Sequence, residues 1–391
     1  MSAPASPADY ESFVAESFRR AGCTVEMATS ATQEAWDFVI VTPKGRRGAV
    51  QVKSRRGSLP LPLFNRLSIY LSGPEGADFD FGVFVVNSQF SKNIITVLAE
   101  TNPADHDLYI YAAVVSFPGG EINWVEQAPS DIPTAPRPDR TAEGDSGPVP
   151  PTNKRIAVFT EKGGVGKTSL AAHLAGAMVY GGQDAVLVDV DGQRNLSLLL
   201  GDGLNVATRR GGLYSLIVAP YKDFSELDYK DYYIVYDCAP QFTVNPPEVF
   251  ERVTDTVIPI VLSPLSILGN AEVIHRTIEQ IRAVNPAMRF HIVINQYVTT
   301  KTAQRYQTRL LNFIRYHLKQ YGFETDPLVR FYEPSEVSVR RSDILLHWGM
   351  FLLTPGEEAR LAFASQVNGA QNLLADFLAL ADSLEEAFEE A

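Results

Sequence analysis

The chain has 391 residues, of which 45% are hydrophobic and 20% charged, and its formal net charge at pH 7 is −12. This length predicts two or three domains, and the apolar fraction suffices for packed cores, which excludes wholesale disorder. The two cysteines lie far apart and exclude a disulfide framework. No apolar run is long enough to cross a membrane. We therefore expect a cytoplasmic protein with no membrane partner.

The first 128 residues mix helix and strand patterns. In chain order, the patterns predict a helix over Tyr10–Ala21, strands over Phe38–Thr42, Gly48–Lys53 and Phe81–Asn87, a helix over Asn93–Glu100 and a strand over Asp107–Val115. The turn Pro43-Lys-Gly-Arg-Arg separates the first two strands and predicts a hairpin. We expect this part, residues 1–128, to be an α/β domain.

A segment rich in proline follows. Residues 129–152 contain seven prolines and show no apolar periodicity. Such a composition favours an extended, solvated linker over a packed element. The segment thus divides the chain into domains at 1–128 and 153–391.

The second half alternates strand and helix patterns. In chain order, these are a strand over Arg155–Thr160, a helix over Lys167–Tyr180, strands over Ala185–Asp189, Tyr232–Tyr236 and Thr256–Val261, a helix over Ala271–Val284, a strand over Arg289–Asn295 and a helix over Thr302–Tyr321. Strands that alternate with helices predict a doubly wound, mostly parallel sheet.

A glycine-rich run, Glu161-Lys-Gly-Gly-Val-Gly-Lys-Thr-Ser, follows the first of these strands and opens a helix. Phosphate binding needs backbone N–H groups at a helix N-terminus, and glycines let the main chain come close. Lys167 would reach the β- and γ-phosphates, and the Thr168 hydroxyl would ligate Mg²⁺. A turn that binds nothing is the alternative, but the flanking strand and helix favour a phosphate site. The candidate nucleotide-binding residues are Lys162, Gly163, Gly164, Val165, Gly166, Lys167, Thr168 and Ser169.

One departure from the ordinary P-loop is informative. The ordinary loop opens with glycine, but this chain has Glu161 there and a second lysine, Lys162, next to it. The form Lys-Gly-Gly-Val-Gly-Lys-Thr resembles the deviant Walker loop of the ParA/MinD ATPases. The resemblance implies a doubly wound P-loop NTPase fold with ATP and Mg²⁺ as cofactors. It also implies a homodimer on ATP binding, in which Lys162 reaches the partner's phosphates and takes part in hydrolysis with Lys167.

Two further runs resemble motifs of the same family. Val186-Leu-Val-Asp-Val-Asp-Gly-Gln-Arg-Asn resembles the second motif, which implies that Asp191 activates water and Asp189 supports magnesium. Tyr233-Ile-Val-Tyr-Asp-Cys-Ala-Pro resembles the Walker B strand, which implies that Asp237 orients the waters of magnesium. A helix cap or a turn is the alternative for any single aspartate at a strand end.

The C-terminal half offers two more candidates. Asn295, at the end of Ile292-Val-Ile-Asn, lies where this family often places an adenine-reading side chain. After it, Lys301, Arg305 and Arg309 recur every four residues on one predicted helix. This stripe could bind a DNA backbone, as in many ParA relatives, or could be an ordinary solvated face. Arg315 and Lys319 form a second pair at the same spacing.

The first half carries a second set of chemical groups. A metal-dependent nuclease needs carboxylates for the metal and a lysine near the attacking water. Asp37 enters the first strand of the predicted hairpin, while Gln51 and Lys53 share one face of the second strand. The upstream helix offers Glu11 or Glu16 as the other acid, and the sequence leaves this choice open.

This arrangement resembles the PD-(D/E)xK nuclease superfamily, and in particular the Mrr-like restriction endonucleases, which often carry Gln-x-Lys. The run Tyr10-Glu-Ser-Phe-Val-Ala-Glu-Ser-Phe-Arg-Arg-Ala-Gly is similar to the Mrr opening helix, which makes Glu11 the preferred acid. The resemblance implies a restriction-endonuclease-like α/β/α domain with Glu11 and Asp37 as metal ligands. It also implies catalytic roles for Gln51 and Lys53 beside these two acids.

A basic block surrounds these residues. No acidic residue occurs between Asp37 and Glu75, and the candidate DNA-binding residues in this stretch are Lys44, Arg46, Arg47, Arg55 and Arg56. The block favours DNA as a partner despite the acidic net charge. An inactive nuclease fold that only binds DNA, and an ordinary α/β domain with a basic hairpin, remain alternatives.

Three functions follow from the two halves. The leading interpretation is a DNA-directed ATPase and endonuclease, in defence against foreign DNA or in a mobile element. The second is a partition or positioning ATPase whose N-terminal domain only binds DNA or a partner. The third is a signalling or scaffold switch, which the basic block disfavours. The expected partners are DNA, a second copy of the chain and a protein encoded nearby.

Overall fold

The structure is a computed structural model, and it describes residues 7–27, 36–55, 58–100, 108–117, 119–132, 154–192, 195–208, 212–263, 267–353, 358–365 and 367–389. The chain divides into two compact units. The first unit comprises Met1–Pro151 and Ser225–Lys230, and the second comprises Thr152–Phe224 and Asp231–Ala391. Most of the expected linker, from residue 133 to residue 152, lies outside the described residues.

Among its described residues, the first unit contains three α-helices and eight strands. Its helices are α1 (Pro7–Arg20), α2 (Leu61–Leu71) and α3 (Lys92–Glu100). Its strands are β1 (Thr24–Met27), β2 (Phe38–Val41), β3 (Arg47–Lys53), β4 (Ser58–Leu59), β5 (Phe81–Val86), β6 (Gln89–Phe90), β7 (Tyr109–Val115) and β8 (Ile122–Val125). The predicted hairpin of β2 and β3 is present, and its strands pair antiparallel.

A six-stranded sheet with the order β1-β2-β3-β5-β7-β8 forms the centre of this unit. Strands β3, β5 and β7 are parallel, and antiparallel strands flank them on both sides. Gly48 of β3 is required by packing, because a Cβ atom there would lie 2.5 Å from the Phe81 ring. Helix α1 contacts β1 and β3, so its residues lie beside the hairpin.

In the part of the second unit that the structure describes, there are seven α-helices and nine strands. Its helices are α4 (Lys167–Tyr180), α5 (Asn195–Leu200), α6 (Pro247–Arg252), α7 (Ile267–Val284), α8 (Lys301–Gln320), α9 (Asp343–Leu346) and α10 (Ala370–Glu389). Its strands are β9 (Arg155–Val158), β10 (Ala185–Asp189), β11 (Gly203–Ala207), β12 (Leu213–Pro220), β13 (Tyr233–Asp237), β14 (Asp255–Val261), β15 (Arg289–Tyr297), β16 (Val329–Phe331) and β17 (Ser338–Arg340).

These strands form one sheet with the order β11-β12-β10-β13-β9-β14-β15-β16, and β17 also pairs with β15. All pairs are parallel except β11 with β12. The chain leaves β9 in one direction towards β10 and later returns to its other side with β14. This reversal creates a crevice at the carboxyl end of β9, where open α/β sheets bind ligands.

Helices cover this sheet in two groups. Helix α4 packs on α10, β10 and β13, while α7 packs on α6 and α8. The α/β class with a mostly parallel sheet is thus confirmed. Among the described residues, no helix combines the length and apolar character needed to span a bilayer.

Candidate functional site

The P-loop lies between β9 and α4, at the crevice. Gly164 and Gly166 have φ angles of 72° and 82°, which side chains rarely adopt. Cβ atoms built on Gly163 and Gly164 would meet nothing within 4 Å, so the backbone here faces open space. Gly166 is the N-cap residue of α4, so the free N–H groups of the first helical turn adjoin this space. This geometry suits a phosphate group.

Asn295 braces the loop from β15. Its Nδ2 atom donates a 2.7 Å hydrogen bond to the carbonyl oxygen of Val165, and its Oδ1 atom accepts 2.9 Å from the backbone of Gln296. A Cβ atom on Gly166 would lie 2.7 Å from this Nδ2 atom, so the contact requires glycine. Gln296 has a φ angle of 60° and lies where the pairing of β15 with β17 shifts register. The adenine-reading role of Asn295 stays a prediction, since here the side chain holds the loop.

The two P-loop lysines are directed to different partners. The Lys167 ammonium donates 3.0 Å to the carbonyl oxygen of Lys162 and therefore lies over the loop. The Lys162 ammonium donates to Oδ1 of Asn270 on α7. Burial lowers the pKa of both ammonium groups.

Helix α7 also explains the unusual first position of the loop. The Glu161 carboxylate pairs with the Arg276 guanidinium on this helix. Asn270 is only 1% exposed, and its Nδ2 atom donates 3.1 Å to the carbonyl oxygen of Val261 at the end of β14. Both departures from the ordinary loop, Glu161 and Lys162, are thus held by the same helix.

The acidic candidates meet at neighbouring strand ends. Asp189 of β10 and Asp237 of β13 are register partners, and both are buried. Burial raises the pKa of the Asp237 carboxyl to about 7; the hydrogen bond from Thr168 lowers this pKa and the Asp189 carboxylate raises it. Asp191 interacts electrostatically with both Lys167 and Asp237, so it faces the same crevice.

These groups fit a hydrated divalent cation. Among the described residues, Oδ1 of Asp237 has no hydrogen-bond partner although it is buried. A buried, acceptor-only oxygen next to a hydroxyl and a second carboxylate is the donor set that magnesium and its waters prefer. The predicted ligands Thr168, Asp189 and Asp237 therefore lie together.

The first unit brings its own candidates together. Asp37 is 8% exposed, and its Oδ2 atom accepts a 2.6 Å hydrogen bond from the backbone N–H of Val52. Burial raises its pKa, while Lys53 lowers it. The pKa of Glu11 on α1 is raised by burial and by Asp37, and lowered by Lys53. Two carboxylates that repel each other beside one lysine are a suitable environment for a cation.

Gln51 and Glu16 differ in their placement. Gln51 is 5% exposed, lies two residues before Lys53 on β3, and makes no side-chain hydrogen bond to a described residue. Glu16 is largely exposed and pairs with Arg19 at 3.2 Å. The structure therefore places Glu11, and not Glu16, beside Asp37.

The number of carboxylates in these sites is small. Within the described ranges, no group of three or more His, Cys, Asp or Glu side chains is arranged to hold a metal ion. The first unit thus offers two carboxylates, Glu11 and Asp37, with the Gln51 amide as the third potential ligand. Gln51 is a neutral side chain, so Glu11 and Asp37 are the anionic groups of this candidate site.

Only some residues of the basic block are exposed enough to contact DNA. Lys44 and the side chain of Arg47 are exposed, although Arg47 lies 3.6 Å from Glu26. Arg46 pairs with Asp131 at 3.4 Å and lies over the Phe81 ring. The other two residues of the block, Arg55 and Arg56, are not seen to be exposed. Arg55 is 6% exposed, so it is not presented to DNA as expected, and Arg56 lies outside the described residues.

The C-terminal stripe lies on α8 as expected. Lys301, Arg305 and Arg309 are exposed. The second pair is different, because Arg315 pairs with Glu333 and Lys319 lies 3.3 Å from Glu324.

Sequence reasoning missed Asn270, Arg276 and the buried His173. His173 of α4 stays neutral, because burial lowers its pKa to about 4. Its Nδ1 atom lies 2.7 Å from the Ser169 carbonyl oxygen, and its Nε2 atom accepts 2.8 Å from the Ala362 N–H. The available signal was a polar residue inside an apolar helix, which does not reveal its partner.

Comparison with known proteins agrees with both resemblances. Residues 3–104 match the family model described as restriction endonuclease. Residues 156–323 match the model described as CobQ/CobB/MinD/ParA nucleotide binding domain. A stretch of 50 residues is 52% identical to the septum site-determining protein MinD of Synechocystis sp., and covers 12% of this chain and 19% of that protein. That match thus spans about a fifth of its relative.

Solved structures of low sequence identity also match part of the chain. Cobyrinic acid a,c-diamide synthase from Mycobacterium smegmatis, with a bound ATP analogue and magnesium, is 18% identical over 61% of this chain and 96% of that chain, with a TM-score of 0.41. The MinD cell division protein of Aquifex aeolicus is 16% identical over 60% of this chain and 97% of that chain, with a TM-score of 0.38.

The family-model matches lie on different parts of the chain and coincide with the two candidate sites. The restriction endonuclease match contains Glu11, Asp37, Gln51 and Lys53, and the nucleotide-binding match contains the P-loop and Asp237. The chain therefore joins a restriction-endonuclease-like domain to a nucleotide-binding domain of the CobQ/CobB/MinD/ParA type.

Proposed function

We propose that this chain is an ATP-dependent, DNA-directed hydrolase, in which a ParA-like ATPase domain controls a metal-dependent DNA endonuclease domain. The observation that carries the proposal is that each unit collects its own acids beside a lysine. Asp237 and Asp191 interact with Lys167 in one unit, and Glu11 and Asp37 interact with Lys53 in the other.

The ATPase part of the proposal assigns roles to the crevice. The P-loop N–H groups and Lys167 bind the phosphates of ATP. Thr168, Asp189 and Asp237 hold Mg²⁺ and its waters, and the bound ion neutralises phosphate charge. Asp191 orients and deprotonates the attacking water. Support comes from the buried Oδ1 atom of Asp237, which has no hydrogen-bond partner among the described residues, and from the open backbone at Gly163 and Gly164.

The second lysine is assigned to dimerisation. The Lys162 ammonium donates to Asn270 on α7, whereas the Lys167 ammonium lies over the loop. Because this hydrogen bond holds the ammonium to one side of its own loop, we assign the Lys162 side chain to the phosphates of a second copy. We therefore assign a homodimer that forms on ATP binding.

The nuclease part assigns Glu11 and Asp37 as metal ligands, and Gln51 as a neutral third ligand. A bound divalent cation supplies Lewis-acid activation of the phosphodiester. Lys53 lies at the exposed end of β3, where its ammonium stabilises charge on the attacking water or on the phosphate. Lys44 and Arg47 contact the DNA backbone nearby.

A dimer with two nuclease domains suits cleavage of both DNA strands. Such an architecture fits defence against foreign DNA or the biology of a mobile element, with a further protein encoded nearby as a partner. The joining of these two domains in one chain supports this role.

A second candidate is a positioning ATPase whose N-terminal domain binds DNA without cutting it. The neutral Gln51 favours it, because a site with only two carboxylates binds divalent cations less strongly than one with three. The alternative predicts ATP-dependent DNA association without cleavage.

Cleavage of plasmid DNA separates the two candidates. Wild type, Asp37→Ala and Lys53→Ala are incubated with supercoiled plasmid, Mg²⁺ or Mn²⁺, and ATP, and binding and nicking are scored separately. The nuclease proposal expects nicking by wild type only, with binding retained by both variants. Binding by all three proteins with no nicking would select the alternative.

A further inference from the structure

Helix α8 has one face in the protein and one face in solvent. Its buried residues are Gln307, Leu311, Ile314 and Leu318. At about 100° per residue, these four positions lie within roughly 60° of the helix circumference. The side turned to solvent carries Lys301, Arg305, Tyr306, Arg309 and Tyr316, and we name it the outer face of α8.

This outer face is positively charged without compensation. The twenty residues of α8 contain no Asp or Glu, although the whole chain carries a net charge of −12. Lys301, Arg305 and Arg309 form no ion pair with any described residue, whereas Arg315 and Lys319 are paired. Four residues of helix rise about 6 Å, so three unpaired cations follow one another over about 12 Å. Such a row is complementary to a polyanion.

The same helix also exposes aromatic rings. Tyr306 and Tyr316 are 63% and 59% exposed, which leaves most of both rings in water. Tyr316 adjoins a short chain of rings, because its centroid lies 5.4 Å from that of His317, which lies 4.4 Å from Phe313. These neighbours fix the base of the Tyr316 ring and leave its outer part free to contact a ligand.

Charge and rings together distinguish between polyanions. Duplex DNA offers phosphates, but its base faces are stacked inside the helix. An acidic peptide offers charge without flat π-faces. A single strand offers both, since unpaired bases stack on aromatic side chains while a basic surface follows the backbone.

We propose that the outer face of α8 binds single-stranded nucleic acid, with Lys301, Arg305 and Arg309 on the phosphates and Tyr306 and Tyr316 under unpaired bases. The inference deepens the proposed DNA-directed function, since it names the strand state recognised by the ATPase unit. Binding of duplex DNA is then assigned to the basic hairpin of β2 and β3 in the first unit.

Fluorescence anisotropy with the full chain tests the surface. The probes are labelled dT20, rU20 and a 20-base-pair duplex. Stacking on one tyrosine contributes about 5- to 150-fold in affinity for a single strand. We expect Tyr316→Ala and Tyr306→Ala each to weaken dT20 binding by that factor, and duplex binding by less than about twofold. Tyr316→Phe and Tyr306→Phe keep the ring and retain wild-type affinity within about twofold.

Variants that remove positive charge test the phosphate contacts independently, through the salt dependence of dT20 binding. The triple variant Lys301→Gln, Arg305→Gln, Arg309→Gln should reduce the slope of log affinity for dT20 against log salt by about 2, from three phosphates at about 0.7 each. Arg315→Gln is the matched control, since that arginine is paired with Glu333 and the slope should not change. A similar loss for rU20 and dT20 means that the surface recognises either sugar.

The outcomes separate this inference from the proposed function. Duplex binding without single-strand binding by wild type overturns the inference and leaves the proposed function standing. No binding to any probe overturns both. Equal losses on dT20 and duplex in the tyrosine variants overturn the stacking assignment. Competition by poly-glutamate as effective as that by unlabelled dT20 also overturns it, because the surface then recognises charge alone.

Discussion

The side-chain nitrogen of Asn295 donates a 2.7 Å hydrogen bond to the carbonyl oxygen of Val165, and so ties the end of β15 to the middle of the P-loop. The same asparagine receives the N–H of Gln296, whose φ angle of 60° is unusual for a residue with a side chain. Strained backbone of this kind persists only where surrounding contacts enforce it. The P-loop shape and the bulge in β15 are thus coupled through one amide.

Asn295→Asp tests this coupling. The shape is kept, but a carboxylate cannot donate to the Val165 carbonyl and would place two acceptors together. We expect nucleotide affinity to fall by about tenfold or more, measured by isothermal titration with an ATP analogue. Asn285→Asp is the matched control, because Asn285 also donates to backbone carbonyls, those of Phe250 and Val253, away from the P-loop. The same loss in both variants would show a general effect on stability instead.

Mutations of the two P-loop lysines should have different effects on nucleotide binding and dimerisation. Lys162→Ala should abolish ATP hydrolysis and ATP-dependent dimers while keeping nucleotide affinity within about threefold, because its ammonium lies on Asn270 and not on the loop. Lys167→Ala should lose nucleotide binding itself, because that ammonium lies over the loop. Sedimentation velocity with ATP, alongside nucleotide titration, measures both effects. Dimers of Lys162→Ala that persist with ATP would show that the ParA/MinD analogy fails at this residue.

Asp237→Asn should stabilise the nucleotide-free protein above neutral pH. The Asp237 pKa is about 7 in the folded protein, against 3.8 for an ordinary aspartate. Between these values the folded state holds more protons than the unfolded chain, so the free energy of unfolding falls as pH rises. Asparagine does not titrate, so the variant does not lose this free energy of unfolding as pH rises. We expect the variant to gain on the order of 1–4 kcal/mol over wild type from about pH 4 to about pH 8.

Calorimetry without nucleotide or metal measures this gain across the pH range. His173, whose pKa is lowered to about 4, destabilises both proteins equally as pH falls, so it cancels in the difference. A difference that is constant across the range would contradict the raised pKa of Asp237. The variant should also bind Mg²⁺ with ATP more weakly, because the asparagine carries no charge.

The nuclease assignment predicts that two glutamates on one helix behave differently. Glu11→Gln should reduce plasmid nicking by about 100-fold or more, since it removes one of the two carboxylates beside Lys53. Glu16→Gln should change nicking by less than about twofold, because Glu16 is exposed and pairs with Arg19. Initial nicking rates at saturating metal measure both, with circular dichroism as a check of folding. Equal rates for the two variants would remove Glu11 from the site.

Local patterns predicted most of the central elements. Strand β10 and helix α4 have the predicted bounds, because a buried β-branched run and a glycine N-cap are signals within the sequence itself. Other elements gave weaker signals. Strand β1 is mostly exposed, and the sequence did not predict it because its pairing with β2 depends on distant residues.

The site was predictable to the extent that its motifs are contiguous. The P-loop and Asp237 follow from spacing, and the structure places them together. The partners Asn270 and Arg276 come from α7, more than a hundred residues along the chain, so only the fold brings them to Lys162 and Glu161. The choice of Glu11 over Glu16 likewise needed the orientation of α1.

If ATP binding controls DNA cleavage, the initial rate of plasmid nicking must differ with and without ATP. Wild type, Lys162→Ala and Lys167→Ala are compared at one concentration of protein and divalent metal. The account predicts that ATP changes the wild-type rate by about tenfold or more, and leaves the rates of both lysine variants unchanged. Nicking by wild type at the same rate with and without ATP would contradict it.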